Sequence, residues 1–250
     1  MSRTSDNSRR SAGLLPILFL LMVFFLVSDR AEAQLDVFTI DEQSEIKIGR
    51  DLAGKFEAEY GVVDSPAVAA RLNRIGKRLV GHCARPRLPF TFKALKVKEV
   101  NAFALPGGWV YVTQGALDLV KNDDHQLANI MGHEVAHVSE KHSVEKIKQE
   151  MTYSLIGELL FSKGDSRQIG ALGKAYLMRN YSRSQELDAD ARGVTFAHKA
   201  GFNPNAMVMF LEKLKGMEGS NLVAALLSSH PPTDLRIEKV REQIRLKRLK

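Results

Sequence analysis

A chain of 250 residues, 44% hydrophobic and 26% charged, is long and apolar enough to bury one sizeable core, which excludes disordered and collagen-like classes. Its formal charge of +7 gathers at the C-terminus, and neither zinc-finger spacing nor an aromatic-rich basic sheet accompanies it, so no nucleic-acid partner is expected. One cysteine, Cys83, excludes an intramolecular disulfide and is expected to be a buried thiol.

At the N-terminus, Arg3, Arg9 and Arg10 precede an apolar run from Leu14 to Val27, and Ala31-Glu32-Ala33 puts small residues where a signal peptidase reads. Residues 1–33 are therefore expected to be a cleaved export signal. A retained membrane anchor is the lesser alternative, because a 14-residue apolar run falls short of the roughly 20 needed to cross a bilayer. Arg9-Arg10 lacks the bulky apolar residue that follows a twin-arginine pair, which leaves the export route open.

Apolar residues recur with helical spacing from Asp41 to Tyr60, and Gly61 can close that helix. Ser65-Pro66 opens a second helix that buries Val68, Leu72, Ile75 and Leu79. The period then changes: "FTFKALKV" from Phe90 alternates and "WVYVT" is aromatic and β-branched, so strands are expected there, joined through "NAFALPGG". Helices return with "KNDDHQLANIMGHEVAH", capped by Asp123 or Asp124, and continue over Glu145–Phe161, Gln168–Arg179, Ser184–Lys199 and Asn205–Lys215.

Within "NIMGHEVAHVSEKH", His133 and His137 stand four apart, so on a helix their imidazoles share a face and can direct nitrogens at one metal ion. Glu134 projects about 100° away, too far round to ligate with ease but within reach of a metal-held water, as a general base requires. A catalytic zinc takes three protein ligands and leaves one position open. The metzincin spacing would put glycine at 140 and histidine at 143, where this chain has Glu140 and Ser143; His142, on a continuous helix, would point away. A better third ligand lies in "NYSRSQELDADARGVTFAHKAG", where Glu186 and Asp190 are four apart: Glu186 is assigned to the metal, and Asp190 to the outer N–H of a ligand histidine. Either pair alone is often a solvated surface feature, whereas the two in this order make a much stronger pattern. Gly132, mid-helix at a cost of about 1 kcal/mol relative to alanine, suggests close packing there.

The chain resembles the zinc endopeptidases that include the CAAX-prenyl proteases, the mitochondrial inner-membrane stress protease and bacterial periplasmic quality-control proteases. The likeness rests on "EIKIGRDLA", "NAFALPGGWVYVTQGAL", "GHEVAHVSEKH", "YSRSQELDADARGV" and "SHPPTDLRI", in that order. It implies an α+β, mainly helical zincin-like domain with a small sheet beside the active-site helix, and one Zn2+ per chain held by His133, His137 and Glu186. It implies Glu134 as general base and Asp190 as a supporting carboxylate. It further implies that Asn101, Ala102, Phe103 and Ala104 border the cleft as an edge strand on which an extended substrate pairs. His230 matches a position near the active site, where it either donates to the oxyanion or approaches zinc and holds the enzyme latent. Arg183 either pairs with a carboxylate near the site or caps its helix. The implied substrates are unfolded or unassembled envelope proteins, and the implied location is a bacterial periplasm.

The expected organisation is a signal at 1–33, the metallopeptidase domain at 34–235 and a basic helix or tail at 236–250. In that tail, "RIEKVREQIRLKRLK" aligns Ile237, Val240, Ile244 and Leu249 roughly on one face and could touch anionic lipid peripherally, although such strips are more often solvated helices. A catalytically silent, metal-stabilised, chaperone-like binding module is the alternative to an enzyme.

Overall fold

The computed structural model describes residues 40–150, 180–231 and 233–249. The expected signal, the expected helix Gln168–Arg179 and the later part of Glu145–Phe161 lie outside the described residues. The fold below is that of the unit beginning at Glu42.

Helix α1 (Glu42–Tyr60) ends at Gly61, whose φ of +70° is the left-handed conformation that closes helices. Helix α2 (Pro66–Val80) starts on its proline, with Ser65 Oγ accepting from Val68 N, and buries Leu72, Ile75 and Leu79 as its spacing predicts. Three strands follow: β1 (Thr91–Leu95), β2 (Ala102–Leu105) and β3 (Trp109–Thr113). The periodicity alone predicts β1 and β3 but leaves β2 in the connection. The order β1-β3-β2 puts β3 in the middle, parallel to β1 (Phe92 opposite Val110) and antiparallel to β2 (Ala104 opposite Val110), with β2 at the end of the sheet. A central strand needs both faces apolar, and all five residues of β3 are buried. On one face Phe103 and Tyr111 stack, and Phe103 meets Phe56 of α1. On the other, Phe92, Ala94, Ala102, Ala104, Val110 and Val112 join the main core with α2 and the helix that follows.

After α3 (Gln114–Val120) comes α4 (Asp124–Ser139), the helix carrying the two spaced histidines. Asp123 rather than Asp124 caps it, accepting from His125 N and Gln126 N at 2.9 Å each. Every residue of α4 from Gln126 to Ser139 is buried, so this helix runs through the core. Helix α5 (His142–Glu150) follows after a sharp turn, and α6 (Arg183–Lys199) carries the second carboxylate pair. Ser182 and Gln185 form a reciprocal cap at its start. Helices α4 and α6 cross where Gly132 faces Gly193: a Cβ on Gly132 would lie 2.9 Å from Gly193 O, and one on Gly193 would lie 2.7 Å from His133 N. This contact explains the mid-helix glycine.

The chain closes with α7 (Asn205–Lys215), α8 (Ala224–Ser229) and α9 (Asp234–Leu246). Ile237, Val240, Ile244 and Leu249 are buried with residues of α6 and α7, so the apolar strip of the basic tail is internal. Helix α9 begins two residues before the expected boundary at 235/236 and is packed as part of this unit. No helix of the described residues is long and apolar enough to cross a membrane.

Candidate metal centre

The α4–α6 crossing brings His133, His137 and Glu186 together, and the loop after α8 adds His230. One ligand atom from each of these four buried residues lies within 4.8 Å of the others. His133 Nε2 is 3.0 Å from His137 Nε2 and 3.2 Å from His230 Nδ1. Glu186 Oε1 is 3.4 Å from His137 Nε2 and 2.7 Å from His230 Nδ1, and Glu186 Oε2 is 3.6 Å from His133 Nε2. Donors about 2 Å from a tetrahedral zinc stand about 3.3 Å apart, so this spacing suits such an ion. Two imidazoles and a carboxylate, with a third imidazole available, also form a donor set that zinc favours.

Glu134 lies beside the cluster, its Oε1 3.9 Å from His230 Nε2. Its buried Oε2 has no hydrogen-bond partner among the described residues, as expected of a carboxylate kept for a water or substrate proton. A cavity of about 20 Å³ touches Glu134, His133, His230 and Ala102, with Ile130, Met207, Phe210 and Leu226 among its other walls. That is room for about one water and too little for a substrate side chain.

Three of the four donors are held from behind. Asp190 Oδ1 lies 2.9 Å from His133 Nδ1. His137 stacks on Tyr181 with centroids 3.7 Å apart, and its Nδ1 is 3.2 Å from Nδ1 of His142. Sequence spacing missed His142 because it assumed a continuous helix, whereas α4 stops at Ser139 and the chain turns back at Lys141, where φ is +62°. Arg236 was also missed. Thr233 Oγ1 caps α9 by accepting from Arg236 N, which places the guanidinium in the first turn, facing the cluster. It donates from Nε and Nη2 to both oxygens of Asp190 at 2.7 and 2.8 Å, lies 2.7 Å from Glu186 Oε2 through Nη1, and also donates to Pro231 O. The available signal was its place in "SHPPTDLRI", six residues after His230. Arg183, by contrast, is exposed at the first residue of α6, where Ser182 supplies the cap. Asn101 precedes β2, its N–H donating to Thr113 Oγ1; Phe103 turns its ring toward α1, and Ala102 alone of the expected edge-strand residues lines the cavity.

The protein groups alone set a strong field. Burial raises the Glu134 pKa, partly offset by His230 and His133, and a raised carboxyl suits a general base working near neutrality. Burial drives His137 well below the ordinary imidazole value, keeping it neutral and able to ligate. Burial opposes charge on His133, but Glu186 and then Asp190 outweigh it and raise its pKa. Burial also opposes ionisation of Glu186 and Asp190. It is overcome at Glu186 by His230, Arg236 and His133, and at Asp190 chiefly by Arg236, so both carboxyls sit below their usual range.

Comparison with known proteins places this arrangement. Residues 66–244 match peptidase family M48. The chain is similar to the beta-barrel assembly-enhancing protease of Escherichia coli K12, 28% identical over 218 residues, covering 82% of this chain and 45% of that protein. It is similar to mitochondrial metalloendopeptidase OMA1 of Schizosaccharomyces pombe, 31% identical over 204 residues, covering 79% of this chain and 60% of the relative. It is also similar to metalloprotease YcaL of Escherichia coli K12, 26% identical over 191 residues, covering 71% and 73%. The chain thus spans less than half the length of the assembly-enhancing protease it matches. The match runs from α2 into α9 and encloses every residue of the donor cluster, together with Glu134, Asp190 and Arg236: the chain belongs to peptidase family M48.

Proposed function

We propose that this chain is a zinc endopeptidase that hydrolyses extended or misfolded polypeptides in a bacterial envelope, after export directed by residues 1–33. The observation that carries the reading is the buried His133-His137-Glu186 donor set with the unpartnered Glu134 oxygen beside it. Zinc bound there would polarise the scissile carbonyl and make a water acidic enough to attack it near neutral pH. Glu134 takes the proton from the attacking water and delivers it to the leaving amine. Asp190 holds His133 in the tautomer that offers Nε2 inward, and Arg236 keeps both carboxylates ionised and fixed.

With Nδ1 inside the donor set, His230 would serve as a fourth protein ligand to a bound zinc and so compete with a water for it. That form is latent, and cleavage requires the segment after α8 to move. An extended substrate would then run along β2 at the end of the sheet, its scissile bond passing Ala102 and Glu134. The name of the Escherichia coli relative, a protease that enhances beta-barrel assembly, supports unassembled envelope proteins as the substrate class. Peripheral contact with anionic lipid through exposed Lys239, Arg241, Arg245 and Lys247 would rest on charge alone, since the apolar face of α9 is buried.

Cleavage of unfolded casein by His230→Ala, with and without Glu134→Gln, tests the proposal. His230→Ala should cut faster than the native chain, and Glu134→Gln should stop cutting while leaving zinc bound. If neither the native chain nor His230→Ala cuts the casein it binds, the chain is the metal-stabilised binding module instead; cutting by the native chain but not by His230→Ala would make His230 an oxyanion donor rather than a latch.

A further inference from the structure

A metal-ligating imidazole carries its proton on the nitrogen away from the metal, and that N–H needs an acceptor to fix the tautomer and the ring angle. For His133 the acceptor is Asp190. His137 presents Nε2 to the donor cluster and Nδ1 to Nδ1 of His142, 3.2 Å away. We infer that His142 is the positioning residue for His137, accepting its Nδ1–H so that His137 Nε2 is held as a metal donor; this rests on the metal-site reading above.

Three features support it. The backbone is bent to make the contact: Lys141 holds a φ of +62°, a conformation costing a non-glycine residue on the order of 1 kcal/mol, and this reversal swings His142 back toward the helix it has just left. His142 is itself buried, its ring centroid 5.2 Å from that of His137 at an interplanar angle of 68°. With Tyr181 stacked on His137 at 16°, the ring plane is already set, and the contact with His142 governs rotation within that plane. For Nδ1 of His142 to accept, its proton must sit on Nε2, which points toward Asp188 Oδ2 at 3.8 Å.

Zinc affinity, measured on the full chain by competition with a chromogenic chelator, tests the inference with His142→Asn and His142→Gln. The Asn side-chain oxygen can occupy the place of Nδ1, whereas the amide of Gln reaches the place of Nε2. His142→Gln should bind zinc about 10 to 100-fold more weakly than the native chain, with His142→Asn within about threefold of it. Equal affinities for the two variants, whether both native-like or both reduced, would overturn the inference while leaving the metal site intact. A native chain that binds no zinc would overturn the metal-site reading along with it.

Discussion

Helix α4 and the stretch from His230 to Arg236 both reach the carboxylates Glu186 and Asp190 and are built differently. Helix α4 offers two imidazoles from one buried face, positioned by the helix repeat and by a glycine contact with α6 that leaves no room for a methyl group. The other stretch is a loop and a helix start, in which His230 and Arg236 arrive from different elements and are tied to each other through Pro231 O. The imidazoles of α4 are backed by neutral or anionic neighbours, His142 and Asp190, whereas the carboxylates of α6 are clamped by the cation that α9 brings.

Breaking the clamp should have the largest effect. Arg236→Met leaves Glu186 and Asp190 buried without their cation, and should cost about 3–5 kcal/mol in denaturant unfolding of the chelated protein. Next comes the crossing itself. Gly193→Ala places a methyl 2.7 Å from His133 N, so α4 and α6 must separate, costing about 1–3 kcal/mol and weakening zinc binding by displacing Glu186 from the imidazoles. Glu134→Gln should act the other way: because burial raises the Glu134 pKa, removing its charge should raise the melting temperature by about 2–4 °C for each kcal/mol recovered, the trade expected of a group kept for chemistry. Arg183→Ala should fall within about 0.5 kcal/mol of the native chain, since that arginine is exposed.

Acid titration sharpens the same contrast. Asp190 and Glu186 have depressed pKa values, so their stabilisation is fully present above the unfolded carboxyl value of about 4 and is lost as pH falls through the lower folded values. His133, raised above its ordinary value, contributes in the opposite sense: its stabilisation in the chelated protein is present below about pH 6.5 and is lost as pH rises through the folded value. Denaturation of the chelated protein below pH 4 should therefore be steep in the native chain and shallower in Arg236→Met.

What could be read from the sequence follows the same division. Ligands four apart on a helix are visible as spacing, which is why His133, His137, Glu186 and Asp190 stand out before any coordinates, and why Gly132 signals close approach. Helix ends are visible through Ser65-Pro66 and Asp123 because caps are local chemistry. Strand β2 escapes the periodicity because all four of its residues, Ala102 to Leu105, are buried, which removes the alternation a half-buried strand would show. His142 escapes because nothing in "SEKH" announces that Lys141 adopts a left-handed turn. Arg236 escapes because its role depends on where α9 docks, a long-range outcome that charge counting assigns to a solvated basic tail.

The most direct test is native mass spectrometry of the full chain after chelation and zinc re-addition, beside Glu186→Ala. Convergence of α4, α6 and the loop after α8 on one ion predicts a single zinc per native chain and loss of tight binding in the variant. Stoichiometric zinc that survives Glu186→Ala unchanged, or a native chain that takes up none, would contradict it.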